Sequence, residues 1–475
     1  MLDVLSLALA LAIGILVAGA FNPVYGLRPR WAALVLQVSL GIGAGIGITS
    51  IMFLLLRVIG VASAASVFVS DVVLLGAAGF FYLRRSRAQQ VADEQVSFRW
   101  TWVLIIAFGL AVLVVASRLV SMVQANPWGQ WDALAIWNLR AKFLAGPVGS
   151  WRVAVGGLLA DRMHPDYPLL LSSFIARLWK ASGQMTPLAP IATSFLFLSA
   201  LVGLLMSAVA IVRGTASAVL SGLVILATTS LLLLAPAQYS DIPLAYFFLA
   251  TIALIVIGDG NRSALIWAGL FAGFAAWTKN EGLVFLIGLM AVSALLRRRL
   301  FFLLAGAVPG ILLTLWLKFV VAPPADTLAQ QTSSSILAKA ADLARYVQIA
   351  RAFADEVIHL GNGFTHPLIL LAIVAIVCRW RLDANRRLAV LIGAITLAIT
   401  FAADVAAFVI TPSDLRWHLG TSFGRLILQL WPGALLLCFA VLGAVADPPS
   451  VVAPTVLSKK KRKRLDKIEV HHEAP

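Results

Sequence analysis

The sequence predicts an all-α, polytopic membrane protein: a helical bundle of about thirteen spans with interfacial helices in its first large outward loop. Three observations predict it. Of 475 residues, 61% are apolar and only 12% charged, and the mean hydropathy of +0.95 lies far outside the soluble range. Short polar loops separate the apolar runs, most of which approach the roughly 17 to 25 residues a helix needs to cross hydrocarbon. Basic residues fall on alternate loops, as a single orientation requires.

The runs begin near residues 3, 32, 61, 100, 187, 216, 243, 264, 283, 300, 365, 388 and 427. The first, "LDVLSLALALAIGILVAGA", ends in small residues as a signal peptide does. It has Asp3 where a signal peptide starts positive, and Arg28 and Arg30 follow it, so it reads as an uncleaved span with its amino end outside. The runs at 264 and 283 are short enough for one to be a broken or re-entrant helix. The basic loops are Arg28/Arg30, Arg84/Arg85/Arg87, Arg213, Arg262, "RRR" at 297–299, "RWRLDANRR" at 379–387 and "KKKRKR" at 459–464. They put the amino terminus outside and the carboxyl terminus in the cytoplasm. "PLLLSSFIARLWKASG" (168–183) is apolar but short and carries Arg177 and Lys180. A crossing there would turn Arg213 and the "RRR" outward, so it is expected to lie in or dip into the outer interface.

Residues 1–446 then form one transmembrane domain, with long outward loops at 121–186 and 322–364. Residues 447–475 form a basic cytoplasmic tail, expected to be a disordered arm on anionic headgroups. Cys378 and Cys438 sit in apolar runs, without charged neighbours to activate them. No metal signature and no phosphate-gripping glycine motif occurs, and no soluble domain is left to hold a nucleotide or nucleic acid.

The unusual chemistry gathers in the outward loops. In "NPWGQWDALAIWNLRAKFL", Asp132 stands among Trp128, Trp131 and Trp137, with Arg140 and Lys142 following. Ile136, Leu139 and Phe143 share a face at helical spacing, which makes an amphipathic surface helix with Asp132 as a plain N-cap. The same carboxylate, partly desolvated at the lipid boundary, also suits a general base. Tryptophans there serve equally as belt anchors or sugar platforms. "DRMHPDYPLLL" contributes Asp161, Arg162, His164, Asp166 and Tyr167, held extended by two prolines. "QYSDIPLAYF" places Tyr239 and Asp241 at the mouth of a span, where Asp241 meets Asp132's cavity only if the spans are neighbours. In "AAWTKNEGLVF", Lys279 and Glu281 interrupt apolar sequence, as a mutual pair or a ligand site. In "DLRWHLGTSFGRLILQLWP", Arg416, His418 and Arg425 lie at a span entrance with Gln429 on the face of Arg425. Arginine there is a phosphate fork or a snorkelling anchor.

Taken in order, "QWDALAIWNLRAKFL", "HPDYPLL", "YSDIPLAYFF" and "GFAAWTKNEGLVF" resemble the GT-C superfamily of membrane glycosyltransferases. The chain looks most like bacterial relatives of protein O-mannosyltransferases and lipid A aminoarabinose transferases. The resemblance covers about residues 100–300. It implies an inner-membrane enzyme that inverts the anomeric centre of a sugar taken from a polyprenyl-phosphate donor. Catalytic residues would be Asp132, as base, and Asp241. Apart from the resemblance, the chemistry of the residues nominates Arg425, with His418 and Lys279, for the donor phosphate, and Trp131, Trp137, Arg140, His164, Asp166, Tyr167, Tyr239 and Glu281 for substrate. "HPDYPLL" stands where relatives have a "KPPL" or "HPPL" turn, and Lys279 where they have a "TK" pair. Many relatives carry two adjacent acids where Ala133 follows Asp132 here, and this chain has extra early spans and no large soluble domain at its end. These departures leave the acceptor open among lipid, glycan and protein, and leave room for a divalent cation beside a chemistry that requires no cofactor. The competing classes are a transporter or flippase using Asp71, Asp404, Lys279 and Glu281, against which stands the lack of an internal repeat, and an oligosaccharide ligase or polymerase.

Overall fold

A computed structural model describes residues 2–21, 27–85, 99–159, 164–258, 260–296, 299–323, 331–361 and 365–445. Asp161, Arg162, Arg87, the first two arginines of "RRR" and the basic tail lie outside the described residues. The helices, in chain order, are α1 (Leu2–Phe21), α2 (Arg30–Val58), α3 (Ala64–Arg84), α4 (Thr101–Ala125), α5 (Asn138–Ala145), α6 (Leu170–Ser182), α7 (Leu188–Arg213) and α8 (Thr215–Ala227). There follow α9 (Asp241–Ile257), α10 (Arg262–Ala276), α11 (Asn280–Leu295), α12 (Leu300–Trp316), α13 (Ser333–Ala341), α14 (Leu343–Ile358), α15 (Pro367–Cys378), α16 (Arg387–Ile410) and α17 (Gly424–Val441).

Among the described residues, eight helical stretches are long and apolar enough to cross a membrane: α1, α2, α3, α4, α7, α12 with its continuation to Val321, α16 with the turn before it, and α17 with the turns before it. The other apolar helices, α8 to α11 and α15, are shorter. The order of burial explains why they can be short. Every residue of α9 is buried, with Tyr246 and Phe247 packed against Phe197 of α7 and Phe271 of α10. In α4 only Leu119 is buried, and Leu113 and Val114 are 68% and 70% exposed. Apolar surface left open on that scale belongs against lipid, so α4 is perimeter and α9 axis. Where helices cross closely, glycine permits it: a Cβ on Gly45 of α2 would run into the Ala10 carbonyl of α1, and one on Gly310 of α12 into that of Gly273 in α10.

Two expectations for the first outward loop need correction. The α6 segment does not lie on a surface; all its residues but Lys180 and Ser182 are buried, and Arg177 pairs with Asp71 of α3 at 2.5 Å while bonding the Ser6 carbonyl of α1. The helix before it turns a different face inward. A π-helical turn, Ala133–Trp137, inserts an extra residue ahead of α5, so Ile136, Arg140 and Leu144 are buried while Leu139 and Phe143 are only half-buried.

The loops sort to two ends. At one, Arg85 donates to the Gly19 carbonyl, Ser263 to that of Phe21, Arg299 to that of Gly260, and Trp31 to Thr215. Arg213 joins Asp383 at 3.0 Å and the carbonyls of Arg381 and Ala440, both at 2.6 Å. At the other end lie residues 126–159 and 164–169 and the starts of α9, α11 and α17.

Candidate active site

Four stretches far apart in sequence supply one cluster at that second end. Asp132 stands in the first turn of the helical stretch leading into α5, Asp241 is the first residue of α9, Lys279 and Glu281 flank the start of α11, and Arg425 is the second residue of α17. Asp241 and Glu281 each stand in the first turn of their helix, whose positive dipole end favours a carboxylate.

Arg425 Nη2 donates to Asp132 Oδ2 at 2.6 Å and to Asp241 Oδ2 at 2.9 Å, and its Nε reaches the same Asp241 oxygen at 3.2 Å. Gln429, one turn on, donates to Asp241 Oδ1 at 2.6 Å. Lys279 Nζ lies 3.5 Å from Asp241 Oδ1 and 2.7 Å from Glu281 Oε1. Charges therefore alternate along Asp132, Arg425, Asp241, Lys279 and Glu281, which is how a low-dielectric site holds several of them. The Tyr239 ring lies under the guanidinium, 4.4 Å from centroid to Cζ. Burial raises the Tyr239 phenol above its ordinary range, with the Asp132 carboxylate adding to it, so it acts as a neutral hydrogen-bonding group.

The two aspartates differ. Asp241 is fully buried with both oxygens engaged. Asp132 is 17% exposed at its side chain and bonds Arg425 through Oδ2, leaving Oδ1 without a hydrogen bond among the described residues. It makes no capping bond, and its backbone is already helical. The N-cap alternative is therefore not what its side chain does.

The "HPDYP" turn leans on this cluster. His164 stacks on Tyr167 at 5.0 Å and Tyr167 on Trp137 at 5.8 Å. Burial, with Glu281 adding, raises the Tyr167 phenol. Asp166 Oδ2 accepts from Asn280 at 2.8 Å and from Lys318 at 3.2 Å, and Lys318 also donates to Asn280 Oδ1 at 2.6 Å. Consecutive residues 279 to 281 thus serve two networks.

Other expected members stand apart. Arg140 is fully buried, donating to the carbonyls of Ala154 at 2.8 Å and Pro165 at 3.2 Å, so it ties the loop together, while its Nη1 has no partner among the described residues. Trp137 is likewise wholly buried, a wall behind Tyr167. Trp131 is 77% exposed. His418 bonds Thr411 at 2.9 Å and packs on Phe408, and Lys279 is separated from Arg425 by Asp241, so the three proposed phosphate groups do not form one cationic patch. Asn280 and Lys318 were not among the expected residues. A neutral amide between two charges, and a lysine closing an apolar run, carry no sequence signal of their own.

Several buried polar atoms around the cluster lack a partner among the described residues: Trp277 Nε1, Ser240 Oγ, Glu281 Oε2, Gln429 Oε1 and Asp404 Oδ2. Such atoms are costly unless something completes them. No three His, Cys, Asp or Glu side chains among the described residues gather as a metal-holding group. A carboxylate with one free oxygen, beside a planar cation that holds its other, can take a proton while an anion develops next to it. Comparison with protein-family models, with curated proteins and with solved structures finds no match for the chain.

Proposed function

We propose that the chain is an inverting membrane glycosyltransferase, moving a sugar from a polyprenyl-phosphate donor to an acceptor hydroxyl at the outer face of a bacterial inner membrane. The observation that carries this reading is the bond from Arg425 to Asp132, which joins the candidate base to the candidate phosphate group. Asp132 Oδ1 would take the acceptor hydroxyl's proton as the oxygen attacks the anomeric carbon from the face opposite the leaving phosphate. Arg425 would turn a guanidinium edge to that phosphate, whose arrival competes with Asp132 and frees it as a base. Asp241 holds Arg425 and Lys279 in place, and the Tyr167 and Tyr239 rings offer faces to the sugar. The short apolar helices would complete about thirteen crossings within a single domain, residues 1–446, with the amino terminus outside. A divalent cation is not required by this scheme.

The test is purified protein in detergent, given a polyprenyl-phosphate sugar and candidate lipid, glycan or peptide acceptors. Consumption of the donor with inverted product is the expected result. Movement of intact donor between leaflets of a proteoliposome, without consumption, would instead identify a flippase. Reporter fusions after Arg299 and within 331–361 check the topology; activity of the first only in the cytoplasm and of the second only outside is expected.

A further inference from the structure

The two aspartates of the cluster are borne by two segments that are locked to each other by side chains outside it. Gln238 is 2% exposed and sits in the left-handed backbone region, at φ 58°, three residues before Asp241. Its Nε2 donates to the Pro127 carbonyl at 2.8 Å, and its Oε1 accepts from Asn138 Nδ2 at 3.0 Å. Asn138, 6% exposed, also donates to the Trp128 carbonyl at 3.2 Å. Between these bonds the backbones meet: Gln130 N–H donates to the Ala237 carbonyl at 3.1 Å, and a Cβ on Gly129, at φ 79°, would stand 2.6 Å from that carbonyl oxygen. Asp132 lies between Gln130 and Asn138 along the chain, and Asp241 follows Gln238.

We infer that Gln238 and Asn138 are positioning residues that set the register between Asp132 and Asp241, and thereby the share of Arg425 each carboxylate holds. The inference rests on the transferase reading for its catalytic consequence and on the structure alone for the clamp. The chemistry explains the residue types. A primary amide carries its donor and its acceptor on separate atoms, so Gln238 can tie the 126–130 turn and Asn138 together in a buried place where a charged group would be left unpaired. The left-handed backbone at Gln238, unusual for a residue with a side chain, aims that amide back across the turn. A carboxylate displaced by about an ångström loses its line to the acceptor oxygen without losing the site's charge.

Gln238→Leu, of similar volume, removes both bonds, and Asn138→Ala removes the second partner. Amide hydrogen exchange, read by mass spectrometry on the detergent-solubilised full chain, should quicken at least tenfold at Gln130 and its neighbours in either variant. Transfer from the polyprenyl-phosphate sugar should fall about tenfold to a hundredfold in kcat with donor KM within about threefold. Gln238→Glu keeps the acceptor for Asn138 but sets a buried carboxylate against the Pro127 carbonyl, and should lose at least as much as Leu. The decisive measure is combination: in an Asp132→Asn background Gln238→Leu should cost nothing further in kcat per folded molecule, because there is no base left to misplace. Unchanged exchange at Gln130 overturns the clamp. Faster exchange with full kcat, or losses that multiply in the double variant, overturns the positioning role. If the unaltered protein transfers no sugar at all, the transferase reading falls with the catalytic consequence drawn from it, while exchange still decides the clamp.

Discussion

The two ends of the bundle use arginine in opposite ways. At the basic end, Arg85, Arg213 and Arg299 donate mainly to backbone carbonyls where helices stop, the groups a helix leaves unsatisfied at its carboxyl end. At the other end Arg425 donates to two carboxylates, and Ser240 Oγ, Glu281 Oε2 and Gln429 Oε1, on residues of or next to that cluster, have no partner among the described residues. The basic end spends its arginines on the protein's own backbone. The cluster leaves polar atoms over, and such atoms in a low-dielectric setting are ones a ligand can complete.

The largest expected effect comes from Arg425→Ala. It strips the buried Asp241 of one of two counter-charges, leaving Lys279 and Gln429 on Oδ1 and nothing on Oδ2, so beyond abolishing transfer it should destabilise the fold by about 1–3 kcal/mol, the usual cost of a buried acceptor left unsatisfied. Arg425→Lys keeps a charge without the fork, and should retain the fold while donor affinity falls. Thermal unfolding in detergent beside donor binding reads both. Unaltered donor binding in Arg425→Lys would reduce the residue to an anchor of the kind found at the opposite end.

Asp132→Asn ranks next. An amide cannot accept the acceptor's proton, so kcat should drop about a hundredfold to ten-thousandfold. The structure alters what donor binding should do. Because Asp132 occupies Arg425 Nη2, removing its charge removes a competitor of the phosphate, and donor affinity should rise by about threefold to tenfold. Turnover and donor titration on the same preparation test the pair of effects, and an active Asp132→Asn enzyme would end its assignment as base. Asp241→Asn should be milder in rate, about tenfold, since both oxygens of that carboxylate are already engaged and it takes no proton. A loss as deep as that of Asp132→Asn would mean the proton goes there instead.

Much of the fold was legible because hydrocarbon imposes a simple pattern: each apolar run became a helix starting within about three residues of where the run begins. The π turn at 133–137 left no such mark, and it alone moved the buried face from Leu139 and Phe143 to Arg140 and Leu144. The site was legible as residue types rather than as pairs. Asp132, Asp241, Lys279 and Arg425 were each conspicuous as charges beside apolar runs, yet the bond between Asp132 and Arg425 spans 293 positions, and no periodicity encodes a contact of that separation. The bonds from Arg140 to the carbonyls of Ala154 and Pro165 were invisible for the same reason, since a backbone carbonyl leaves no mark in sequence.

The smallest effect on turnover should come from Arg213→Ala, and it is the sharpest test of the division between the ends. Arg213 is 5% exposed at its side chain and holds Asp383 together with the carbonyls of Arg381, Phe439 and Ala440, the last two in the final turn of α17. Its loss leaves those carbonyls unsatisfied, at about 1–3 kcal/mol for a buried polar group without a partner. Arg425 sits in the first turn of the same helix, so α17 is the element that joins the partners of Arg213 directly to the site. If the helix start is held by its own partners, Asp132, Asp241 and the Gln429 bond, then kcat per folded molecule should stay within about twofold while the melting temperature falls. A drop in kcat that tracks the loss of stability would mean that α17 shifts as a unit, and that Arg213 belongs to the positioning of Arg425 as much as Asp241 does.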